Sequence, residues 1–215
     1  MGDVYRLESF DQRNPPPAGI VAGMHARLLP TSPAVKLGAD FLESCYYTIL
    51  VEVGAVMGSV AWVDESPAGF IAVTDNSARF MRNALRRRPF RVIRAGAGAL
   101  LENPARVAAV FEILMLMSAY QRQPIEDAEG EILSMGIEEV FRGPEFVSRS
   151  GHRVAIDLLD IEMGRLQRLG RKRVRAVVDA SNTAAQLFYR GLGWSLERAG
   201  VPGWRSPTVE FVFDL

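Results

Sequence analysis

The chain has 215 residues, of which 48% are hydrophobic and 23% are charged, a composition typical of a soluble globular protein with a sizeable core. Its 25 Lys and Arg balance its 25 Asp and Glu, and this lack of a basic excess argues against a nucleic-acid-binding protein. The only cysteine, Cys45, excludes an internal disulfide, and the polar amino-terminal segment does not resemble a signal peptide. We therefore expect a cytoplasmic protein with a single domain over residues 1–215.

The first third of the chain predicts one strand, two helices and a β-hairpin. The segment VYRL suits a strand, and the prolines that follow it suit the front of a helix over residues 18–29. Apolar residues then recur at helical spacing over residues 37–51. Two short apolar runs, VMGSVAWV and GFIAVTD, flank the acidic turn segment DESPA and predict an antiparallel hairpin.

Residues 77–120 predict two or three helices, broken at Pro89 and restarted at Pro104 with Asn103 as the helix cap. So long a connection between strands predicts an insertion that builds a substrate pocket or an interface. Its most apolar part, residues 107–120, contains Glu112 and is shorter than the roughly 20 apolar residues that a membrane span needs. We expect a buried or interface helix without stable membrane insertion, and an interface here makes a homodimer reasonable.

The second half of the chain predicts a strand over EILSMGI, a loop, a long helix over residues 155–169, a strand over RVRAVVDA, a helix over residues 183–192 and two final strands. The strand–helix–strand order requires neighbouring parallel strands joined by a right-handed crossover. The stripe of apolar residues on the long helix predicts its buried face. The exposed face is expected to carry Asp157, Glu162, Arg165 and Arg168.

Two motifs in this half point to chemistry. The segment SGHRVA, residues 150–155, precedes the long helix, where free backbone N–H groups and the helix dipole favour a phosphate group. The segment VVDASNTAAQLFYRGLGW, residues 177–194, contains a strand end, Asn182, small residues and Tyr189, and it ends with a glycine followed by an aromatic residue. Over residues 132–194 these motifs resemble the GCN5-related N-acetyltransferases. The inserted helices and the segment MHARLLPTSP resemble longer members of that family associated with sugar and polysaccharide synthesis.

The resemblance implies an α/β fold with a central mixed sheet of six to seven strands, flanked by helices and carrying the helical insertion at residues 77–120. It implies acetyl-CoA as the cofactor and transfer of its acetyl group to the primary amine of a small molecule, with an amino-sugar as one candidate. Tyr189 then corresponds to the general acid that protonates the departing thiolate. The implied cofactor-binding residues are Met135, Gly136, Ile137, Ser150, Gly151, His152, Arg153, Val154, Ala155, Asn182 and Phe188.

Two positions depart from the family pattern. Ser150 stands where Arg or Gln is usual, and Arg153 stands where the middle Gly is usual. Arg153 must therefore keep a backbone conformation that a side chain tolerates, and its guanidinium could contact a phosphate directly.

Several assignments stay open at this point. Glu131 is the first candidate for the general base, with a solvent-facing strand-end charge as the alternative, and His25 at the substrate mouth is the second candidate. Tyr189 could instead be a core residue with its hydroxyl at a wet edge, and Asn182 also suits a helix cap. A non-catalytic acyl-CoA-binding module and transfer of a longer acyl chain along the insertion are the alternative functions. We expect no metal site, because His25 and His152 are the only histidines.

Overall fold

The computed structural model describes residues 4–77, 79–122 and 129–215. The strands are β1 (Tyr5–Phe10), β2 (Met57–Val63), β3 (Ser66–Thr74), β4 (Glu129–Ile137), β5 (Arg173–Asp179), β6 (Ser195–Ala199) and β7 (Thr208–Asp214). The α-helices are α1 (Ala18–Leu28), α2 (Pro33–Lys36), α3 (Ala39–Phe41), α4 (Leu50–Glu52), α5 (Phe80–Arg87), α6 (Pro89–Glu102), α7 (Val107–Arg122), α8 (Pro144–Ser150), α9 (Val154–Arg168) and α10 (Thr183–Gly191). A π-helical stretch (Leu42–Ile49) joins α3 to α4, and single 3₁₀ turns occur at Pro104–Arg106 and Glu139–Phe141.

The seven strands form one mixed sheet in the order β1-β2-β3-β4-β5-β7-β6. All neighbouring pairs are antiparallel except β4 and β5, which are parallel and are connected through α8 and α9. This parallel pair is the strand–helix–strand unit that the sequence predicts. The prediction of a mixed sheet of six to seven strands flanked by helices is confirmed.

The parallel strands β4 and β5 separate after four residues. Glu129–Ile132 pairs with Arg173–Ala176, and the pairing ends there. On its other edge β4 continues to pair with β3 as far as Ile137, with a register shift between Ala72 and Val73. The carboxyl-terminal half of β4 therefore has one edge paired to β3 and one edge turned towards a gap beside β5.

Helices cover both faces of the sheet, and each face has its own hydrophobic cluster. Alternate residues of a strand point to opposite faces, so Val174, Ala176 and Val178 of β5 pack into the cluster that also contains Leu158 and Leu166 of α9. The opposite face of the sheet packs against α1, the π-helical stretch and parts of α6 and α7. Arg175 lies between Val174 and Ala176 and so belongs to this second face.

The segment predicted as an insertion contains the three helices α5, α6 and α7, which agrees with the two or three helices predicted for residues 77–120. Asn103 caps the 3₁₀ turn before α7, because its Oδ1 accepts a hydrogen bond from the Ala105 N–H at 3.0 Å. Glu112 is buried on the inner side of α7, whereas Phe111 and Leu114 are exposed on its outer side. In the parts of the chain that the structure describes, no helix combines the length and the apolar character needed to cross a membrane.

Two local predictions are wrong. The segment PEFVSRS forms the helix α8 instead of a loop, because Pro144 suits the first turn and Phe146 is buried against the core. Glu162 does not lie on the exposed face of α9: its side chain is 1% exposed and accepts a hydrogen bond from Ser59 on β2. A polar partner on the sheet lets this carboxyl lie inside the apolar face of the helix.

Candidate functional site

The gap between β4 and β5 brings together the first group of predicted cofactor residues. Met135, Gly136 and Ile137 form the end of β4, where pairing to β5 has already stopped. A Cβ at Gly136 would lie 3.0 Å from side-chain atoms of Leu28 and Phe70, so the glycine lets α1 pack closely against β4. An exposed strand edge of this kind offers backbone N–H and C=O groups to an extended ligand.

The segment between α8 and α9 places the second group next to the amino end of α9. Gly151 has φ +75° and ends α8, donating its N–H to the Val147 carbonyl at 2.8 Å. The Ser150 hydroxyl donates to the Phe146 carbonyl at 2.8 Å and accepts the His152 N–H at 3.1 Å. Ser150 therefore supports the turn from within, instead of extending a long side chain as Arg or Gln would.

Arg153 precedes α9 and has φ −116°, which a side chain tolerates, as the sequence requires. Its side chain makes no capping hydrogen bond to the helix. The first intrahelical backbone bond of α9 is donated by Asp157 to the Arg153 carbonyl at 2.9 Å. The N–H groups of Val154, Ala155 and Ile156 therefore have no carbonyl partner within the helix. They point towards its amino end, where an anion is favoured.

The side chain of His152 connects this turn to the edge strand β1. Its ring stacks on the Tyr5 ring with centroids 3.9 Å apart, and its Nδ1 lies 3.6 Å from the Asp157 carboxylate. His152 thus holds the turn in place through its side chain. A direct role in cofactor binding remains a proposal.

The helix α10 carries the third predicted group. Asn182 caps it, because its Oδ1 accepts a hydrogen bond from the Ala185 N–H at 3.0 Å, which confirms the cap. Tyr189 is 4% exposed, and its ring packs against Trp194 and Phe211 with centroids 4.9 and 5.7 Å away. Burial raises the pKa of the Tyr189 hydroxyl well above its usual value, so the hydroxyl holds its proton at neutral pH. Phe188 lies beside it and is half-buried.

Glu131 is buried in an ion-pair network, so its alternative interpretation as a solvent-facing charge is wrong. Its Oε2 accepts hydrogen bonds from two nitrogens of Arg175, at 2.9 and 3.2 Å. Arg175 also donates to Glu210 at 3.3 Å, and Glu210 pairs with Arg198. The network joins β4, β5, β7 and β6 on the face opposite α9.

His25 is also buried and does not lie at an open mouth. Its Nδ1 is 2.8 Å from the Tyr47 hydroxyl and its Nε2 is 3.2 Å from the Ser32 hydroxyl. Burial lowers the pKa of His25 to about 4, which makes it a weak base. Ser134 on β4 lies beside the hydroxyls of Tyr46 and Tyr47.

The sequence analysis did not single out Tyr47 or Ser134, and it counted Tyr46 only as one of the apolar positions on a helix. The adjacent pair Tyr46–Tyr47 was the available signal. In an ordinary α-helix two adjacent side chains diverge by about 100°. Here they lie in the π-helical stretch, a geometry often found at functional sites, and their ring centroids are 5.0 Å apart.

Comparison with known proteins identifies the fold of the chain. No protein-family model matches the chain, and no curated protein is similar to it in sequence. Among solved structures, it is similar to the NatC complex bound to Gag peptide and CoA, with 14% identity, 100% and 99% of the two chains covered and a TM-score of 0.57. It is similar to Arabidopsis thaliana NAA60 in complex with acetyl-CoA, with 15% identity, 99% and 100% covered and a TM-score of 0.56. Agmatine N-acetyltransferase matches with 14% identity, 99% and 100% covered and a TM-score of 0.57.

These structures are acetyltransferases, and their alignment with this chain runs from end to end. The strand order, the separation of β4 from β5 and the turn before α9 all lie within the aligned region. The chain therefore has the fold of the GCN5-related N-acetyltransferases.

Proposed function

We propose that the protein is an acetyl-CoA-dependent N-acetyltransferase that acts on a small primary amine. The observation that carries the proposal is the gap between β4 and β5, which opens beside the uncapped amino end of α9. An acyl-CoA molecule needs an extended edge for its pantetheine arm and N–H donors for its pyrophosphate, and this arrangement offers both. The structurally similar NAA60 is described with acetyl-CoA and NatC with CoA.

The residues proposed to hold the cofactor lie on β4 and at the amino end of α9. Met135, Gly136 and Ile137 would offer the backbone of β4, and the N–H groups of Val154 and Ala155 would face the phosphates. Arg153 is exposed at the same end of α9, where its guanidinium could pair with a phosphate oxygen. Bound acetyl-CoA would supply a thioester carbonyl and a thiol leaving group.

Tyr189 is the proposed general acid. As the new C–N bond forms and the C–S bond breaks, the departing sulfur must gain a proton, and the amine must lose one. The Tyr189 hydroxyl, kept protonated by burial, suits the first of these tasks. Glu131 remains the proposed acceptor of the amine proton, acting directly or through water, although Arg175 already contacts its carboxylate.

The test is calorimetric titration with acetyl-CoA and CoA, followed by a screen of amines with detection of free thiol. We expect binding of both ligands and release of thiol with at least one amine. Tyr189→Phe should lower kcat by about 10²–10⁴-fold, the usual share of general acid–base catalysis, without weakening acetyl-CoA binding. As a control, Trp194→Phe changes packing around the same ring but keeps the hydroxyl, and should retain most activity. Full activity of Tyr189→Phe would remove Tyr189 from the acid role.

A non-catalytic acyl-CoA-binding module is the second candidate. It is favoured by the two proposed catalytic groups themselves, because Tyr189 packs into an aromatic core and Glu131 belongs to an ion-pair network. This function predicts acetyl-CoA binding with no thiol release across the whole amine panel.

Transfer of a longer acyl chain has less support, since Phe111 and Leu114 of the insertion point outward. Comparing acetyl-CoA with octanoyl-CoA would decide it.

A further inference from the structure

A cavity of about 480 Å³ lies between α2, the insertion and the segment that joins β6 to β7. Its lining residues are Lys36, Asn103, Ala105, Arg106, Ala108, Ala109, Glu112 and Arg205. The lining carries three cationic side chains and one carboxylate. Two of these cations are paired with carboxylates, Lys36 with Glu112 and Arg106 with Glu102, and Arg205 supplies the remaining positive charge, which favours an anionic ligand group.

The carboxylate of Glu112 organises the cavity from inside. It is 2% exposed, and a carboxylate buried in an apolar helix must be compensated. Its Oε2 accepts a hydrogen bond from Lys36 Nζ at 3.1 Å, and its Oε1 accepts the backbone N–H of Arg205 at 3.3 Å. Glu112 thereby ties α2, α7 and the β6–β7 segment together around the cavity.

The two arginines have different surroundings. Arg106 donates to Glu102 at 2.6 Å and to the Ala99 carbonyl at 3.2 Å, and its guanidinium lies against Gly38. The side chain of Arg205 is exposed and forms no ion pair with another residue that the structure describes. Arg205 is therefore the cation most available to a ligand, and Arg106 is a fixed second charge.

The cavity lies near the carboxyl end of β5. The β6–β7 segment meets the carboxyl end of β5, where the Ala180 N–H donates to the Pro207 carbonyl at 2.9 Å. At that same end, hydrogen bonds from Ser181, and to a lesser extent the charge of Lys36, lower the pKa of Asp179. The cationic cavity thus lies at the end of β5 where the gap from β4 opens.

We propose that this cavity binds an anionic group of the acceptor, so that the substrates are small primary amines that also carry a carboxylate or a phosphate. The inference rests on the proposed acetyltransferase activity and narrows its acceptor class. Arg205 would contact the anion, with Arg106 and Lys36 adding charge around it. The amine of the same molecule would then extend towards the gap beside β5.

Three probes separate the charge from the rest of the acceptor: glucosamine, its uronic acid, and glucosamine phosphorylated on its primary hydroxyl. They share one ring and one amine and carry a hydroxyl, a carboxylate or a phosphate at the same carbon. In calorimetric titrations at low salt, we expect at least one anionic probe to bind the full chain about tenfold more tightly than glucosamine, as a charge-assisted hydrogen bond implies. Comparing the two anionic probes tells which group is preferred.

Variants test whether the arginines of the cavity produce the preference for an anionic probe. Arg205→Gln and the double change Arg205→Gln, Arg106→Gln should abolish the preference for the anionic probe, whereas Arg94→Gln, an exposed arginine on α6 outside the cavity lining, should keep it. The proposal is overturned if the wild-type chain binds glucosamine as tightly as both anionic probes, if none of the three binds, or if the double variant keeps the preference. Titration of the same samples with acetyl-CoA reports separately on the proposed function.

Discussion

His25 illustrates how one enclosed side chain can make the stability of the protein depend on pH. It is 1% exposed, and its two ring nitrogens contact the hydroxyls of Tyr47 and Ser32. The aromatic rings of Tyr46 and Phe70 lie within 5.5 Å of its ring, measured between centroids. An imidazolium in this enclosure would lose its hydration without gaining a carboxylate partner, which is why the pKa falls to about 4.

We expect the protein to lose stability as the pH falls towards this value. An unfolded histidine has a pKa near 6.5, so between about pH 6.5 and pH 4 the unfolded chain binds a proton that the folded chain does not, and this stabilises the unfolded state. From about pH 7.5 to about pH 5, His25 should lower the free energy of unfolding by about 2 kcal/mol. Urea unfolding at both pH values measures this loss.

Replacing the histidine tests the assignment. His25→Gln should reduce the difference in unfolding free energy between the two pH values. Equal pH dependence in the wild type and in His25→Gln would contradict the assignment.

Two glycines should respond in opposite ways to the same substitution. At Gly58 in β2, a Cβ would collide with the Ile71 carbonyl oxygen of the neighbouring strand and lie 2.6 Å from the Phe10 ring. At Gly96 in α6, a Cβ would meet no atom within 4 Å. Gly58→Ala should cost about 3 kcal/mol or more through displacement of backbone, and Gly96→Ala should add about 0.5–1 kcal/mol through helix propensity. Thermal unfolding of both variants measures the contrast.

At the scale of elements, the ion pairs around Arg175 connect four strands at the point where β4 and β5 begin to separate. Glu131 of β4 lies directly opposite Arg175 of β5 in the parallel register, and Glu210 of β7 and Arg198 of β6 complete the row. The first three side chains are at most 5% exposed. Because the pairing of β4 with β5 ends one residue beyond Glu131, the row lies where the two strands begin to separate.

Removing the central cation should be costly. Arg175→Met leaves Glu131 and Glu210 buried without that partner and should lower the free energy of unfolding by about 3–5 kcal/mol. Replacing all three residues with apolar ones, as Glu131→Leu, Arg175→Met, Glu210→Leu, should recover most of the loss, because no buried charge is then left uncompensated in that group. Urea unfolding compares the two variants. A single variant as stable as the wild type would show that the row contributes little.

The sequence predicted most elements but not which polar groups they enclose. The strands, α9, α10 and the Asn103 and Asn182 caps follow from local pattern, since periodicity, proline and side-chain capping act over a few residues. The burial of Glu131, Glu162 and His25 depends on partners distant in sequence: Arg175, Ser59 and Tyr47. No local pattern contains those partners, so the polar parts of the candidate site had to come from the structure.

For the molecule as a whole, the insertion gives the protein two different surfaces. The inner side of α7 carries Ala109 and Glu112 and faces the cationic cavity. The outer sides of α6 and α7 expose large apolar side chains, namely Phe90, Ile93, Leu101, Val107, Phe111, Leu114 and Met115. On α7 the spacing of these residues follows one helical face. An apolar face with this many large side chains is typical of a protein–protein interface.

We propose that this apolar face forms the interface of a homodimer. Phe90 and Phe111 are 87% and 61% exposed, so Phe90→Glu, Phe111→Glu should leave the fold intact while placing charges in the interface. Buried without a partner, each carboxylate would oppose association strongly. We expect sedimentation velocity to give a dimer for the wild type and a monomer for this variant. Val140→Glu, which replaces an equally exposed apolar residue in the 3₁₀ turn after β4, should remain a dimer. A wild-type chain that stays monomeric at all concentrations tested would show that the apolar face serves another partner or none.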